Sequence, residues 1–265
     1  MGQKVEVSGT GYDIKAGKCL VGGTAYALKK GRTLIGGTGY DISLVSYDPV
    51  FSNNEWSAII DACQSRNVPD TWTVGSQKSM TIGGSSYLVD IIGLNHDDYA
   101  DGSGKAPLTL QLHDCYITSS QMSYSEYNYD SWKQSLIRLY FCPNTILANM
   151  QTDVKAGIKN VNKFTATGGR DATLITTSDK LFLLAESEVF ASIDQSFAGE
   201  GSRYEYYTNG GTSSLKKNNV QNYMWWLRSP VSWNNYNYCA VHTVDGISYY
   251  SGPQAALGVC PAFCF

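Results

Sequence analysis

Charge is scarce in this chain. Asp, Glu, Lys and Arg make up 16% of its 265 residues, against a usual share of about a quarter. The formal net charge is −3, so no basic field neutralises phosphates, and nucleic acid is not an expected partner. Long apolar runs are missing too. None approaches the ~18 residues of a membrane helix, so no membrane insertion is expected. The opening MGQKVEVSGTGY lacks a basic stretch followed by an apolar one, which argues against a signal peptide. Glu6 stands where a myristoylation signal wants Ser or Thr. Metal-binding patterns are absent as well. Seven Cys, at 19, 63, 115, 142, 239, 260 and 264, form no C-x-x-C pair, and the three His are scattered at 96, 113 and 242. Buried, reduced thiols are the expectation, with no cofactor and no metal; whether Cys260 and Cys264 pair stays open.

Tyrosine and glycine are plentiful instead, 19 and 26 residues, and apolar residues reach 43%, enough for a sizeable core. Such a chain is solubilised by hydroxyls and amides more than by charge. It opens with a repeat. GTGYDIKAGKCLVG is followed by GTAYALKKGRTLIG and GTGYDISL, with Thr10, Thr24 and Thr38 setting a period of 14 residues. Each unit alternates apolar and polar residues and then offers Lys15-Ala16-Gly17 or Lys29-Lys30-Gly31 as a turn, the pattern of stacked β-hairpins. Too little core is available to so short an array, so residues 1–45 are read as an attachment and oligomerisation segment.

Residues 43–54 read as a linker. Beyond it, Trp56, Ile59, Ile60 and Cys63 share one helical face that Asn53 or Asn54 is placed to cap. QKSMTIGGSSYLVDIIGLNHD reads as a hairpin, PLTLQLHDC as a strand, and DKLFLLAESEVF as a short strand leading into a short helix. Trp132, Leu136 and Leu139 make a further helical stripe, and Ile146 to Ile158 another, broken around Gln151–Asp153. Helices and strands alternate without a βαβ rhythm, which gives an α+β plan.

The last hairpin carries the functional signal. YCAVHTV and ISYYSG flank Asp245-Gly246, a strong hairpin cue. A two-residue turn would pair Val244 with Ile247, His242 with Tyr249 and Ala240 with Ser251 on one face. Cys239, Val241, Thr243, Ser248 and Tyr250 fall on the other. Periodicity alone leaves open which face is displayed. The preceding loop, SWNNYNY, is too polar to be buried entire, and its Trp, Tyr, Asn and Ser match the composition of recognition loops. Trp225, Trp226 and Leu227 are expected in the core, and Arg228 is expected to donate hydrogen bonds to neighbouring carbonyls. In HDDYADGSG, Asp97, Asp98 and Asp101 hint at a calcium loop, but their spacing favours a solvated turn.

WWLRSP (225–230), YCAV (238–241) and GVCPAF (258–263), with DIIGLNHDDYADGSGKAPLTLQLHDC (90–115) and TTSDKLFLLAESEVF (176–190), resemble the C-type-lectin-fold variable proteins of diversity-generating retroelements found in gut bacteria and prophages. The resemblance covers residues 55–265. It implies a C-type-lectin-like domain, also the fold class of formylglycine-generating enzymes, over residues 46–265, with the small β-repeat segment ahead of it. It further implies a displayed C-terminal face that is diversified over a fixed scaffold. By position, that face comprises Trp233, Asn234, Tyr236, Tyr238, Ala240, His242, Val244, Ile247, Tyr249, Tyr250, Gln254 and Leu257. Tyr250 lies on the opposite strand face by strict alternation and needs a twist or bulge. Cys260 stands where the family often has Arg, and a thiol cannot make the paired hydrogen bonds of a guanidinium.

The 14-residue repeats resemble segments of phage tail-associated proteins. The resulting expectation is a non-enzymatic phage or prophage tail receptor-binding protein, made in the bacterial cytoplasm and carried on the virion tail. Its ligand would be a host-surface protein or glycan. Its repeats would hold other tail proteins and a homo-oligomer, with a trimer favoured. A cell-surface adhesin or lectin of the same family is the main alternative. A formylglycine-generating-type oxidase working through Cys260 and Cys264 is the third reading.

Overall fold

A computed structural model describes residues 47–208 and 213–265, together with the strand backbone before residue 44. The chain divides into two units, Met1–Pro49 and Val50–Phe265. The first holds three antiparallel hairpins: β1 (Lys4–Val7) with β2 (Thr10–Asp13), β3 (Lys18–Val21) with β4 (Thr24–Ala27), and β5 (Lys30–Ile35) with β6 (Thr38–Ser43). Val7 pairs with Thr10, Val21 with Thr24 and Ile35 with Thr38, so each repeated threonine opens the second strand of its hairpin. Lys30 and Gly31 lie in β5 and not in a turn, while Lys15–Gly17 fall outside the described residues.

The second unit is α+β. Helix α1 (Trp56–Gln64) buries Trp56, Ile59, Ile60 and Cys63, as their spacing predicts. Its expected side-chain cap is absent. The residue ahead of the helix is Glu55, and Asn54 instead donates to the carbonyls of Val50 (3.0 Å) and Phe51 (3.3 Å), closing a preceding 3₁₀ turn. The main sheet holds β7 (Gln77–Ile82), β8 (Ser85–Leu94) and β9 (Leu108–Leu112), with the C-terminal strand beside β9. Gly83 and Gly84 both have positive φ, +57° and +81°, which suits the two-residue turn joining β7 to β8. All five β9 residues are buried.

A π-helical stretch, Ile137–Ile146, and a 3₁₀ turn lead to α2 (Thr152–Gly157). The expected break near Gln151 is there. Next come the hairpin β10 (Val161–Gly168) and β11 (Asp171–Asp179), then α3 (Glu186–Val189) and α4 (Glu205–Thr208). Residues 181–185 do not form the short strand expected of them. Only Phe182 makes a bridge, to Ala262, because the carbonyls of Leu183 and Leu184 accept from Arg228 instead. A small hairpin, β12 (Lys216–Asn218) and β13 (Gln221–Tyr223), precedes a three-stranded sheet of β14 (Trp225–Pro230), β15 (Tyr238–Val241) and β16 (Ser248–Ser251). The chain ends in β17 (Ala262–Cys264), paired with β9.

One buried ionic chain ties these elements together. Arg228 on β14 is fully buried and donates to both carboxyl oxygens of Glu188 on α3, at 2.5 and 3.0 Å. It also donates to the carbonyls of Leu183 (2.8 Å), Phe164 (3.2 Å) and Glu200 (2.5 Å). Glu188 accepts as well from Lys163 Nζ (2.6 Å), which reaches Asp97 at 2.8 Å. Two cations face two carboxylates, so the buried charge cancels. Burial alone would raise the carboxyl pKa values. Arg228 and Lys163 outweigh it at Glu188, holding that group below its ordinary value, and Lys163 lowers Asp97 to about 2. Asp97 is therefore no part of a solvated turn, unlike the exposed Asp98 and Asp101.

The six described cysteines are free and buried. Cys260 Sγ donates to the Leu112 carbonyl (2.8 Å), and Lys216 Nζ is bound to that carbonyl (2.9 Å) and to that of His113 (2.9 Å). A buried cation, Lys216, thus lies beside Cys260.

Glu200 behaves differently from its acidic neighbours. Burial raises its carboxyl from 4.5 to about 7, against the lowering effects of Ser229, the Ala166 amide and Arg228. A folded-state value above the unfolded one favours folding at low pH. The contribution is full below about pH 4.5 and lost as pH rises through 7, on the order of 3 kcal/mol in all. Glu200→Gln should therefore flatten the stability profile between pH 5 and 8, read by thermal melts at both; parallel profiles for variant and natural chain would contradict this. Arg228→Met leaves Glu188 short of one cation and should cost about 3–5 kcal/mol in chemical denaturation. A loss below about 1 kcal/mol would show that the ion chain does not hold the fold.

Candidate ligand-binding face

The β14–β15–β16 sheet sits on this ionic chain. All six residues of β14 are buried. The Trp226 indole donates to the Ser120 carbonyl (2.9 Å) and that of Trp225 to Ser214 (3.0 Å). Trp225, Trp226 and Leu227 are core residues, and Arg228 is the carbonyl donor its sequence context suggests.

The hairpin exists, but its turn is longer than Asp245-Gly246. Val241 pairs with Ser248 and Ala240 with Tyr249. His242 N donates to the Ile247 carbonyl (3.0 Å) and Gly246 N to that of His242 (3.2 Å), enclosing a four-residue tip. Gly246 has φ +69°, and a Cβ there would lie 2.5 Å from Ser214 Oγ. Relative to the expected pairing the register slips by two residues. Side chains alternate with period two, so each keeps its face.

Burial corrects two of the twelve candidates. Tyr238 and Ala240 are fully buried. β15 is the central strand, and Tyr238 packs edge-on against Trp226 (6.4 Å, 80°) with its hydroxyl donating to the Ser131 carbonyl (3.2 Å). Ala240, paired with Trp226 on one side and Tyr249 on the other, is covered by larger neighbours. The other ten reach solvent. Trp233, Tyr236, Val244, Ile247, Tyr249 and Gln254 are exposed; Asn234, His242, Tyr250 and Leu257 are half-buried.

Four of them form a row of rings. Trp233 meets Tyr250 edge-on (5.1 Å, 84°), Tyr250 stacks on Tyr249 (5.0 Å, 11°), and Tyr249 leans on His242 (4.9 Å, 42°). Tyr249 and Tyr250 are neighbours on opposite strand faces. Pairing with β15 runs unbroken through both, so no bulge brings them together. Their rings meet around the free edge of β16. His242 also binds Asp245 (2.7 Å), and this hydrogen bond holds the Asp245 carboxyl below its ordinary value.

Side chains outside the hairpin fix this row. Gln195 accepts at its backbone carbonyl from Ser232 N (2.7 Å) and Oγ (2.9 Å), and at its side chain from the Trp233 indole (3.1 Å). The Gln195 segment is held in turn by Glu186 on α3. That buried carboxylate accepts from the backbone N–H groups of Asp194 (3.2 Å), Gln195 (3.0 Å) and Ser196 (2.6 Å), and from the Ser248 hydroxyl of β16. One side chain therefore holds the segment that positions Trp233 and the β16 strand that carries Tyr249 and Tyr250.

A second ring cluster adjoins the first. Tyr127 stacks on Tyr129 (5.4 Å, 28°), and Tyr236 tilts against Tyr127 (5.6 Å). Asn235 Nδ2 donates to the Tyr129 hydroxyl (2.6 Å), and Gln254 Nε2 donates to the Tyr124 carbonyl (2.8 Å). Asn128 ties the same loop to the Asn237 carbonyl (2.8 Å). Leu257 is linked to the loop's start through paired backbone bonds with Ser120. Tyr124, Tyr127 and Tyr129 were not among the candidates. QMSYSEYNYD has the same Ser/Tyr/Asn composition as SWNNYNY, and that signal marks them. Nothing in sequence marks Gln195 or Glu186. Among the described residues, no three His, Cys, Asp or Glu side chains converge to hold a metal ion.

Fold and surface define an α+β protein that presents an aromatic, amide-rich face. Residues 109–265, more than half the chain, match the family described as Domain of unknown function (DUF6273), and the chain belongs to that family. No curated protein and no solved structure matches it.

Trp233 is half exposed, whereas the other five tryptophans are buried. Collisional quenching of tryptophan fluorescence by acrylamide therefore reports on the ring row. Glu186→Gln should raise that quenching by releasing the Gln195 segment, and should cost about 2 kcal/mol of stability. Unchanged quenching would mean that Glu186 does not position Trp233.

Proposed function

We propose that this protein is a non-enzymatic receptor-binding protein whose C-terminal face recognises a ligand on a host surface. The observation that carries the reading is the contrast between face and frame. Trp233 and Tyr236 in the β14–β15 loop, Val244 and Ile247 at the hairpin tip and Tyr249 on β16 stand in solvent around strands β14 and β15 that are buried throughout. Large exposed aromatic surface of this kind marks interaction sites. Rings and short amides lose little conformational freedom on binding, and a fixed frame keeps that loss small.

The C-type-lectin-like assignment rests on the sequence resemblance. The return of β17 to the main sheet and the separate β14–β16 sheet with its displayed loops support it. So does the position of the varied residues in the resembling family: ten of the twelve equivalents here reach solvent. On this reading the face is diversified and the chain sits at a phage or prophage tail. The repeats of residues 1–45 hold it in several copies, a trimer being favoured, where multivalency strengthens weak single contacts. A cellular adhesin of the same class would use the same face.

The oxidase reading gains no support from the thiols. Burial raises Cys260 to about 12 and lifts Cys264 well above its ordinary value, which keeps both protonated at neutral pH, and a thiol is a poor nucleophile.

Two tests apply. Trp233→Ala and Ile247→Ala should each weaken adherence to a susceptible bacterial strain about tenfold or more, as hot-spot side chains do, with unaltered melting. Undiminished adherence would remove the face from the account. In the neighbouring DNA, a near-copy of the segment encoding the C-terminal face, differing at adenines and lying beside a reverse transcriptase gene, is expected. Its absence would contradict diversification and leave a fixed binding protein.

A further inference from the structure

We propose that the binding face continues onto loop 121–131 and that the combined surface takes a neutral glycan chain. The inference rests on the reading of the C-terminal face as a binding site and assigns it a second half and a ligand class. The two ring clusters share one support. Trp233 belongs to the first row and Tyr236 to the second, and three residues of chain span at most about 11 Å. Asn235 and Asn128 bond the two loops to each other, so Tyr129 and Tyr236 are held as one unit. Tyr124 and Tyr129 are well exposed, at 75% and 59%. A ligand that covers Trp233 and Tyr236 therefore meets the 121–131 loop as well.

Charge decides the ligand class. Residues 121–131 and 232–257 contain Glu126, Asp130 and Asp245 and no Lys or Arg. Asp245 binds His242, and Asp130 accepts from the Ser123 hydroxyl, which leaves its charge in place. Sulfated, phosphorylated and sialylated ligands would meet these carboxylates and no Lys or Arg within the two segments. Protein interfaces commonly carry rims of mixed charge that steer encounter and fix register, and these two segments supply three acidic side chains and no Lys or Arg. Its polar groups are side-chain amides and phenolic hydroxyls, with Gln195, Asn234 and Asn235 held by intramolecular hydrogen bonds. Amides and hydroxyls pair with neighbouring sugar hydroxyls, and the electron-rich faces of aromatic rings attract the C–H groups of a pyranose. Its rings project into solvent, Tyr124, Tyr129, Trp233 and Tyr236 all being at least half exposed. Four cavities in the described structure are lined by other segments, around Arg66, Tyr99, Leu139 and Tyr87. A ligand lying along the surface suits this shape better than a small molecule enclosed in a cleft.

The full chain can be tested on an array of immobilised neutral, sialylated and sulfated oligosaccharides, and in parallel on intact bacterial cells treated with periodate or with protease. The expected result is binding to neutral oligosaccharides, at least tenfold weaker binding to their sialylated or sulfated counterparts, and adherence to cells that periodate abolishes and protease spares. Tyr129→Ala and Tyr249→Ala should each lower binding tenfold or more without changing the melting temperature. Full binding by Tyr129→Ala overturns the extension to the 121–131 loop. Adherence that needs Tyr249 but resists periodate and yields to protease overturns the glycan class, while the face survives as a protein-binding site. Adherence indifferent to Tyr249→Ala overturns the underlying reading of the face.

Discussion

The pairing of Arg228 with Glu188 is the constraint on which the rest of this domain depends. A fully buried guanidinium is tolerable only when its charge is cancelled and its donors are used. Here two oxygens of Glu188 and three backbone carbonyls meet both demands. Each partner lies on a different part of the chain, so satisfying one side chain fixes the mutual placement of β14, β10, α3 and the segments around Leu183 and Glu200. Lys163 and Asp97 extend the same logic toward β9 through Thr109, whose hydroxyl donates to Asp97 (2.6 Å). The removal of any one charge would leave its partner uncompensated in a dry interior.

Upon this frame the surface is built by a lighter set of contacts. Glu186 gathers backbone N–H groups from the 194–196 segment and a hydroxyl from β16, and Gln195 passes that order to Ser232 and Trp233. Asn128 does the same for the opposite side of the loop. Most anchors are main-chain groups or residues outside the C-terminal face, but Asn234, Trp233 and Gln254 also bond to the loops themselves. Val244 and Ile247, which carry no side-chain hydrogen bond, are the tips most free to differ while the loops keep their shape. That division between a fixed support and exchangeable tips is what a recognition surface needs.

Much of this was legible in sequence, and the failures have physical reasons. The face of α1 follows from its spacing, and Gly83-Gly84 announces the β7–β8 turn. The buried WWL triplet and the donor role of Arg228 also follow from local pattern. Asp245-Gly246 gives the hairpin but the wrong turn length, because the tip is closed by the His242–Ile247 pair and by Ser214 and Asn222 from another segment. Alternation places Ala240 on the same face as Tyr249 yet cannot report that β15 is a central strand covered from both sides. Tyr238 is hidden beneath the 121–131 loop, which lies more than a hundred residues away in the chain. Residues 181–185 read as a strand by apolarity, but Arg228 takes the carbonyls a strand would need. Such tertiary competition for backbone groups leaves no mark on local sequence.

The central claim is that face and frame are energetically separate. Simultaneous replacement of Trp233, Tyr236, Val244, Ile247 and Tyr249 by alanine, followed by chemical denaturation, tests it most directly. The account predicts a cooperative transition and a total loss below about 3 kcal/mol, the sum of modest surface effects. Loss of cooperative unfolding, or a cost matching that of a broken buried ion pair, would contradict it and assign those side chains to the interior economy of the fold.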